Sequence, residues 1–154
     1  MITFTVYGVA QPKGSMRAFV PPGMKHPIVT DSNRNAKSWA QLVAHAAATT
    51  LAQAPDGAPR LLQGPVRVSV AFDLPRPKKF NKRGVPIAHL TAPDLDKLLR
   101  SVLDALTAVV WHDDSQVVEV FAQKGYADVA CPPCARIRVE SAHGFQTLLD
   151  EAHI

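Results

Sequence analysis

Cysteine is scarce in this sequence: the only two lie in Cys131-Pro-Pro-Cys134, too few for a disulfide framework and half of a zinc-ligand set. Long apolar runs are missing as well. No window approaches the ~18 consecutive apolar residues that a membrane span needs, and the opening MITFTVYGVAQPKG has no charged segment leading into an apolar one. A soluble, cytoplasmic protein with no membrane partner is expected. The six histidines are scattered, without a His-Glu-x-x-His pattern or any nucleophile–base spacing, so none is assigned to catalysis. There is no internal repeat, and no organic small-molecule cofactor is expected.

What is present is globular composition, with 47% hydrophobic and 19% charged residues in 154 positions. That length fits one domain spanning residues 1–154. The net charge of +4 is modest, but its distribution is uneven. Asp94, Asp96, Asp113 and Asp114 form two acidic clusters, whereas the loops before them are almost wholly basic, as suits a protein that contacts phosphate.

Residues 2–7 alternate Ile2, Phe4 and Val6 against Thr3, Thr5 and Tyr7, the period of a half-buried strand. A long Gly- and Pro-containing loop from Gly8 to about Asn33 follows, carrying Lys13, Arg17 and Lys25. The alanine-rich stretch Ala36–Ala54, with Trp39, Leu42, Val43, Ala46 and Ala47 near helical spacing, predicts a first helix, and Val66–Phe72 a second strand. Arg76, Lys78, Lys79, Lys82 and Arg83 then surround Phe80 with no acid among them. This loop is either a DNA contact or a solvated charged surface. Leu95–Val110 has a wide apolar stripe at three- and four-residue steps and predicts a second helix. Val117–Phe121 and Ala135–Glu140 read as strands, and Gly144–Ala152 as a short terminal helix. The order predicts an α+β fold: a mixed sheet of about four strands with two main helices packed on it.

Pro93-Asp94-Leu95-Asp96 stands where a loop turns into the second helix, and alternation across Leu95 directs both carboxylates one way. The pair makes half of a metal site, or else caps the helix, where Asp satisfies orphan N–H groups and complements the dipole. The second cluster, His112-Asp113-Asp114-Ser115-Gln116, falls after the same helix. Sixteen helical residues at ~1.5 Å span roughly 24 Å, so Asp94 and Asp114 meet only if the chain doubles back or a partner chain supplies one of them.

PDLDKLLRSVLDALTAVVWHDDSQVVEV resembles the signature of the RusA-type crossover junction endodeoxyribonucleases: D-L-D-N-L-x-K, then D-A-L, then D-D-x-Q-[VI]. Gln11-Pro12-Lys13-Gly14-Ser15 after the first strand is similar to phage and actinobacterial members. The resemblance implies a homodimeric, metal-dependent enzyme that resolves four-way DNA junctions by paired symmetric nicks in recombination, repair or phage DNA processing. It implies Mg²⁺, with Mn²⁺ as a substitute, held by Asp94, Asp96 and Asp114, with Asp113 as a supporting residue or alternative ligand. A bacterial cell, with a phage or prophage source, is the corresponding expectation. Arg100 stands where the family has lysine; it keeps the charge but cannot serve as a base, so its catalytic task would be electrostatic. An Asp96–Arg100–Asp104 ladder of i,i+4 ion pairs is the bland alternative. Lys97 replaces the usual Asn and joins Lys13, Arg17, Lys25, Arg76, Lys78, Lys79, Lys82 and Arg83 as a DNA-contact candidate. A catalytically silent junction-binding module and a broader flap or branch nuclease are the alternative functions.

Overall fold

The computed structural model describes residues 1–14, 16–31, 33–54, 61–80 and 88–142. The expected terminal helix and the DNA-contact candidates Lys82 and Arg83 lie outside them, as do the side chains of Arg17 and Lys79. Eight elements follow in chain order: β1 (Ile2–Tyr7), β2 (Met16–Phe19), β3 (Ile28–Asp31), α1 (Ala36–Ala52), β4 (Val66–Leu74), α2 (Leu95–Leu106), β5 (Val117–Tyr126) and β6 (Cys134–Ser141).

Four strands form one mixed sheet in the order β1-β6-β4-β5. β6 pairs antiparallel with β1 and β4, and β5 runs parallel to β4 at the edge. The architecture is the expected α+β one. Period-two alternation sends Val66, Val68, Val70, Phe72 and Leu74 of β4 inward, together with Ile137 and Val139 of β6. Trp39, Val43 and Ala47 of α1 and Leu98, Val102 and Leu106 of α2 join this core. Leu42, expected on the buried face of α1, is half exposed because it sits at the flank of the 39–43–47 stripe. The loop expected from Gly8 to Asn33 contains a second, two-stranded sheet of β2 and β3; its short strands lack the alternation that marks β1.

The consequential difference is the end of α2. The apolar period runs to Val110, but the helix stops at Leu106, because Thr107, Val109 and Val110 are β-branched and poor helix formers. Thr107 is extended, and Ala108 turns the chain back with φ +62°. The N–H groups of Val109 and Val110 both donate to the Leu106 carbonyl, at 3.0 and 2.8 Å, and that of Ala108 donates to Trp111 O at 2.7 Å. Val110 and Trp111 remain fully buried, so the burial period outlasts the helix. A left-handed alanine is strained. Ala108→Gly is expected to stabilise the fold by about 0.5–1 kcal/mol, relief of strain exceeding the added chain entropy; a raised midpoint in urea denaturation with an unchanged slope checks this.

Candidate active site

Asp94 occupies the N-cap position of α2 with extended backbone angles, but its side chain makes no capping hydrogen bond. The carboxylate instead faces solvent and pairs with Lys97 Nζ at 2.7 Å. That hydrogen bond, reinforced by the ammonium charge, holds the Asp94 carboxyl below the usual carboxylate range and keeps it ionised to lower pH. Capping therefore does not account for Asp94. Asp96 is exposed in the first turn.

Two further contacts fix this end of the helix. Lys124, near the end of β5, donates from Nζ to the carbonyls of Thr91 and Pro93 at 2.8 and 2.7 Å, tying the approach to α2 onto the sheet. The Lys13 N–H donates to Lys97 O at 2.9 Å, which brings Gln11-Pro12-Lys13 against the acidic motif. Between them lies an open cleft of about 440 Å³ whose walls include Gln11, Pro12, Asn33, Pro93, Asp94 and Lys97. The two sequence motifs thus share one cleft, although more than 80 residues separate them in the chain.

Asp113 and Asp114 sit at the other end of α2. Asp113 accepts from Ser115 N at 2.8 Å and forms a reciprocal capping box with Gln116 over the turn 114–116. The hydrogen bonding from Ser115 lowers its pKa. Gln116 completes the turn by accepting from His112 N and donating to the carbonyls of Leu62 and Gly64. Asp114 is oriented by two donors: Thr107 Oγ1, and Trp111 Nε1 at 3.0 Å. Neither was singled out from the sequence, and the early helix end that supplies both was hidden by the apolar period.

Asp114 is thus fixed at the C-terminus of α2 while Asp94 and Asp96 stand at its N-terminus. Twelve residues separate the ends, roughly 18 Å at ~1.5 Å per residue. The turn at Ala108 doubles the chain back only onto the near end of the helix. Among the described residues no group of three or more acidic, histidine or cysteine side chains converges on a metal site. Asp94 and Asp96 thus share one end of α2, and Asp114 stands at the other.

The remaining candidates divide. The Asp96–Arg100–Asp104 ladder does not form: Asp104 pairs with Lys13 Nζ at 2.6 Å, and Arg100 is exposed with no ion pair among the described residues. Arg76 is turned onto the fold, donating to Ala127 O at 2.9 Å and Phe80 O at 3.1 Å, so it braces the basic loop. Lys25 and Lys78 are exposed. Cys134 is buried beside Asp73 and burial pushes its thiol up, whereas Cys131 is exposed; both are free.

The family model described as endodeoxyribonuclease RusA matches residues 11–140, a span that includes both acidic motifs, α2 and the Gln11-Pro12-Lys13 segment. The uncharacterized protein YqaN of Bacillus subtilis (strain 168) is 29% identical over 138 residues, covering 82% of this chain and 89% of YqaN. With a match over most of its length, the chain belongs to the RusA endodeoxyribonuclease family and is a nuclease of the crossover-junction class.

Proposed function

We propose that the protein is a Mg²⁺-dependent endonuclease that resolves four-way DNA junctions by paired symmetric nicks, and that it works as a homodimer whose active sites are shared between subunits. In this reading Asp94 and Asp96 of one chain act with the partner subunit's Asp114. The observation that carries it is the separation of the acids: Asp94 and Asp96 stand at the N-terminus of α2 and Asp114 beside its C-terminus.

The edge of the sheet supports the arrangement. Among the described residues β5 has no strand on its outer side, apart from a bridge at Gly125 to Ala88, and it exposes Val118, Val120 and Phe121. An apolar edge invites pairing with another chain, and an isologous two-fold contact is the commonest solution. Antiparallel pairing about Val120 sets Val117 opposite the partner's Gln123. Asp114, three residues before Val117, then lies beside the end of the partner strand, the part that Lys124 ties to the approach to α2. The two N-terminal acid pairs thereby each receive the missing carboxylate.

Two exposed carboxylates on one chain fit a hard cation that retains waters and takes phosphate oxygens, and a third improves the fit. Bound there, Mg²⁺ would lower the pKa of a water and neutralise charge on the phosphate. The protein's own part is to keep its acids ionised and aimed. Lys97 does the first for Asp94, and Thr107 and Trp111 do the second for Asp114. Arg100, on α2 one turn beyond Asp96, is free to offer a guanidinium to a phosphate oxygen. Asp113, held by its capping box, is a supporting residue rather than a ligand.

A labelled synthetic four-way junction tests the function. Paired nicks that require Mg²⁺ or Mn²⁺, with three-way, flap and linear substrates cut poorly, are expected. Tight binding without cleavage in either metal contradicts it.

A further inference from the structure

A second cavity lies on the other side of Asn33 from the acidic cleft, between the N-terminus of α1 and the middle of α2. It encloses about 570 Å³. Lys13, Arg34 and Lys37 line it against the single carboxylate of Asp104. α1 opens onto it with no acid in its first turn and no side-chain cap, so its dipole adds to the positive field.

Ser101 is the independent sign of a ligand. This serine lines the cavity, is 3% exposed, and makes no side-chain hydrogen bond among the described residues. Within a helix a serine usually returns its proton to the carbonyl one turn back, as Thr49 and Thr50 do here. Its hydroxyl is not one of the fully enclosed orphaned polar atoms, which among the described residues are Trp39 Nε1 and His89 Nδ1; it stands on the cavity wall as a donor that an acceptor entering the cavity can use. The wall beside it is made of Ala36, Ala40 and Ala105, a smooth apolar surface of the kind a sugar ring packs on.

We propose that this cavity seats one nucleotide unit of the DNA strand, with its backbone phosphate on Lys13, Arg34 and Lys37, its oxygen accepting from Ser101, and its deoxyribose against the alanines. The inference rests on the junction-nuclease reading and extends it. Lys13 links the two places, since its backbone N–H is bonded to Lys97 beside Asp94 while its ammonium enters the cavity. A strand crossing the acidic cleft continues over Asn33 into the seat. In the free protein Asp104 holds the Lys13 ammonium at 2.6 Å and occupies the place of the phosphate as its counter-charge.

The test is junction binding by the full-length protein in metal-free buffer, followed by fluorescence anisotropy over a range of salt. Because no cleavage is involved, wild-type binding is scored separately from the chemistry. Arg34→Ala, Lys37→Ala and the double variant are surface changes. A single seated phosphate predicts that each weakens binding on the order of tenfold and lowers the salt slope by about 1, and that the double variant lowers it no further. Ser101→Ala weakens binding severalfold at every salt concentration without changing the slope. Asp104→Asn, by freeing Lys13, tightens it. Additive slope losses, or no effect of Ser101→Ala and Asp104→Asn, overturn the seat while leaving the nuclease reading intact. A wild-type protein that does not bind junctions overturns both. Amide shifts at Lys37 and Ser101 on titration with a short DNA strand, but not with equal inorganic phosphate, identify the strand as the source; equal shifts with both overturn the nucleotide assignment.

Discussion

Asp96→Asn is expected to lower junction nicking by about three orders of magnitude while junction binding stays within a few-fold. Asparagine keeps the shape of the side chain and removes the charge that a hard cation requires. Losing several kcal/mol of transition-state stabilisation from a metal centre translates to that factor. Folding should be untouched, since Asp96 is exposed and, among the described residues, makes no hydrogen bond or ion pair to lose beyond the field it shares with Lys97. Asp94→Asn should behave alike, because the Lys97 pair it breaks is solvent-exposed and contributes little to stability. Nick formation on a labelled junction and anisotropy on the same junction measure the two quantities. Activity within tenfold of wild type in Asp96→Asn removes the acid pair from the chemistry.

Val118→Lys combined with Val120→Lys is expected to convert the proposed dimer to monomer and abolish nicking together. Both side chains are nearly half exposed on the outer strand, at 45% and 44%, so a lysine at either place costs the isolated subunit little. Across a two-fold axis the same substitutions set like charges against each other in an apolar contact. Loss of central interface residues costs about 2–4 kcal/mol, one and a half to three orders of magnitude in dimer dissociation at ~1.4 kcal/mol per tenfold. Sedimentation equilibrium gives the oligomeric state, circular dichroism the fold, and the junction assay the activity. A folded monomer with full activity rules out a shared site.

The sequence was most legible where period and chemistry agreed. β1, β4 and β6 alternate cleanly, and α1 and the body of α2 have strong apolar stripes, so the sheet and its two helices were readable. β2 and β3 were not, because four-residue strands in a Gly- and Pro-rich segment have too little pattern to separate from a loop. The end of α2 misled for a different reason. Val110 and Trp111 enter the core from a turn, and burial kept the helical spacing after the helix had stopped.

The acidic motifs were visible, but their relation depended on that same turn. From local spacing alone capping explained Asp94 better than metal binding did; its side chain turns out to cap nothing. Asp113 shows the opposite, as the acid that does cap. Residue types alone do not separate these roles, since both use a carboxylate near a helix start. Nor did the run of cations distinguish Arg76, whose guanidinium is spent on two backbone carbonyls, from Lys78, which is exposed. Local charge density sets the field, while the neighbouring carbonyls decide which cation remains available for phosphate.

The claim that the two ends of α2 cooperate across a dimer has a direct test in mixed subunits. Asp96→Asn and Asp114→Asn homodimers are each inactive on this account. When the two variants are co-refolded and the heterodimer is isolated with distinct tags, one composite site carries both substitutions and the other carries none. The prediction is that nicking returns in the heterodimer, limited to one strand per binding event, at about half the wild-type first-cut rate. A heterodimer as inactive as its parents would place all three carboxylates of each site on one chain and contradict the shared centre.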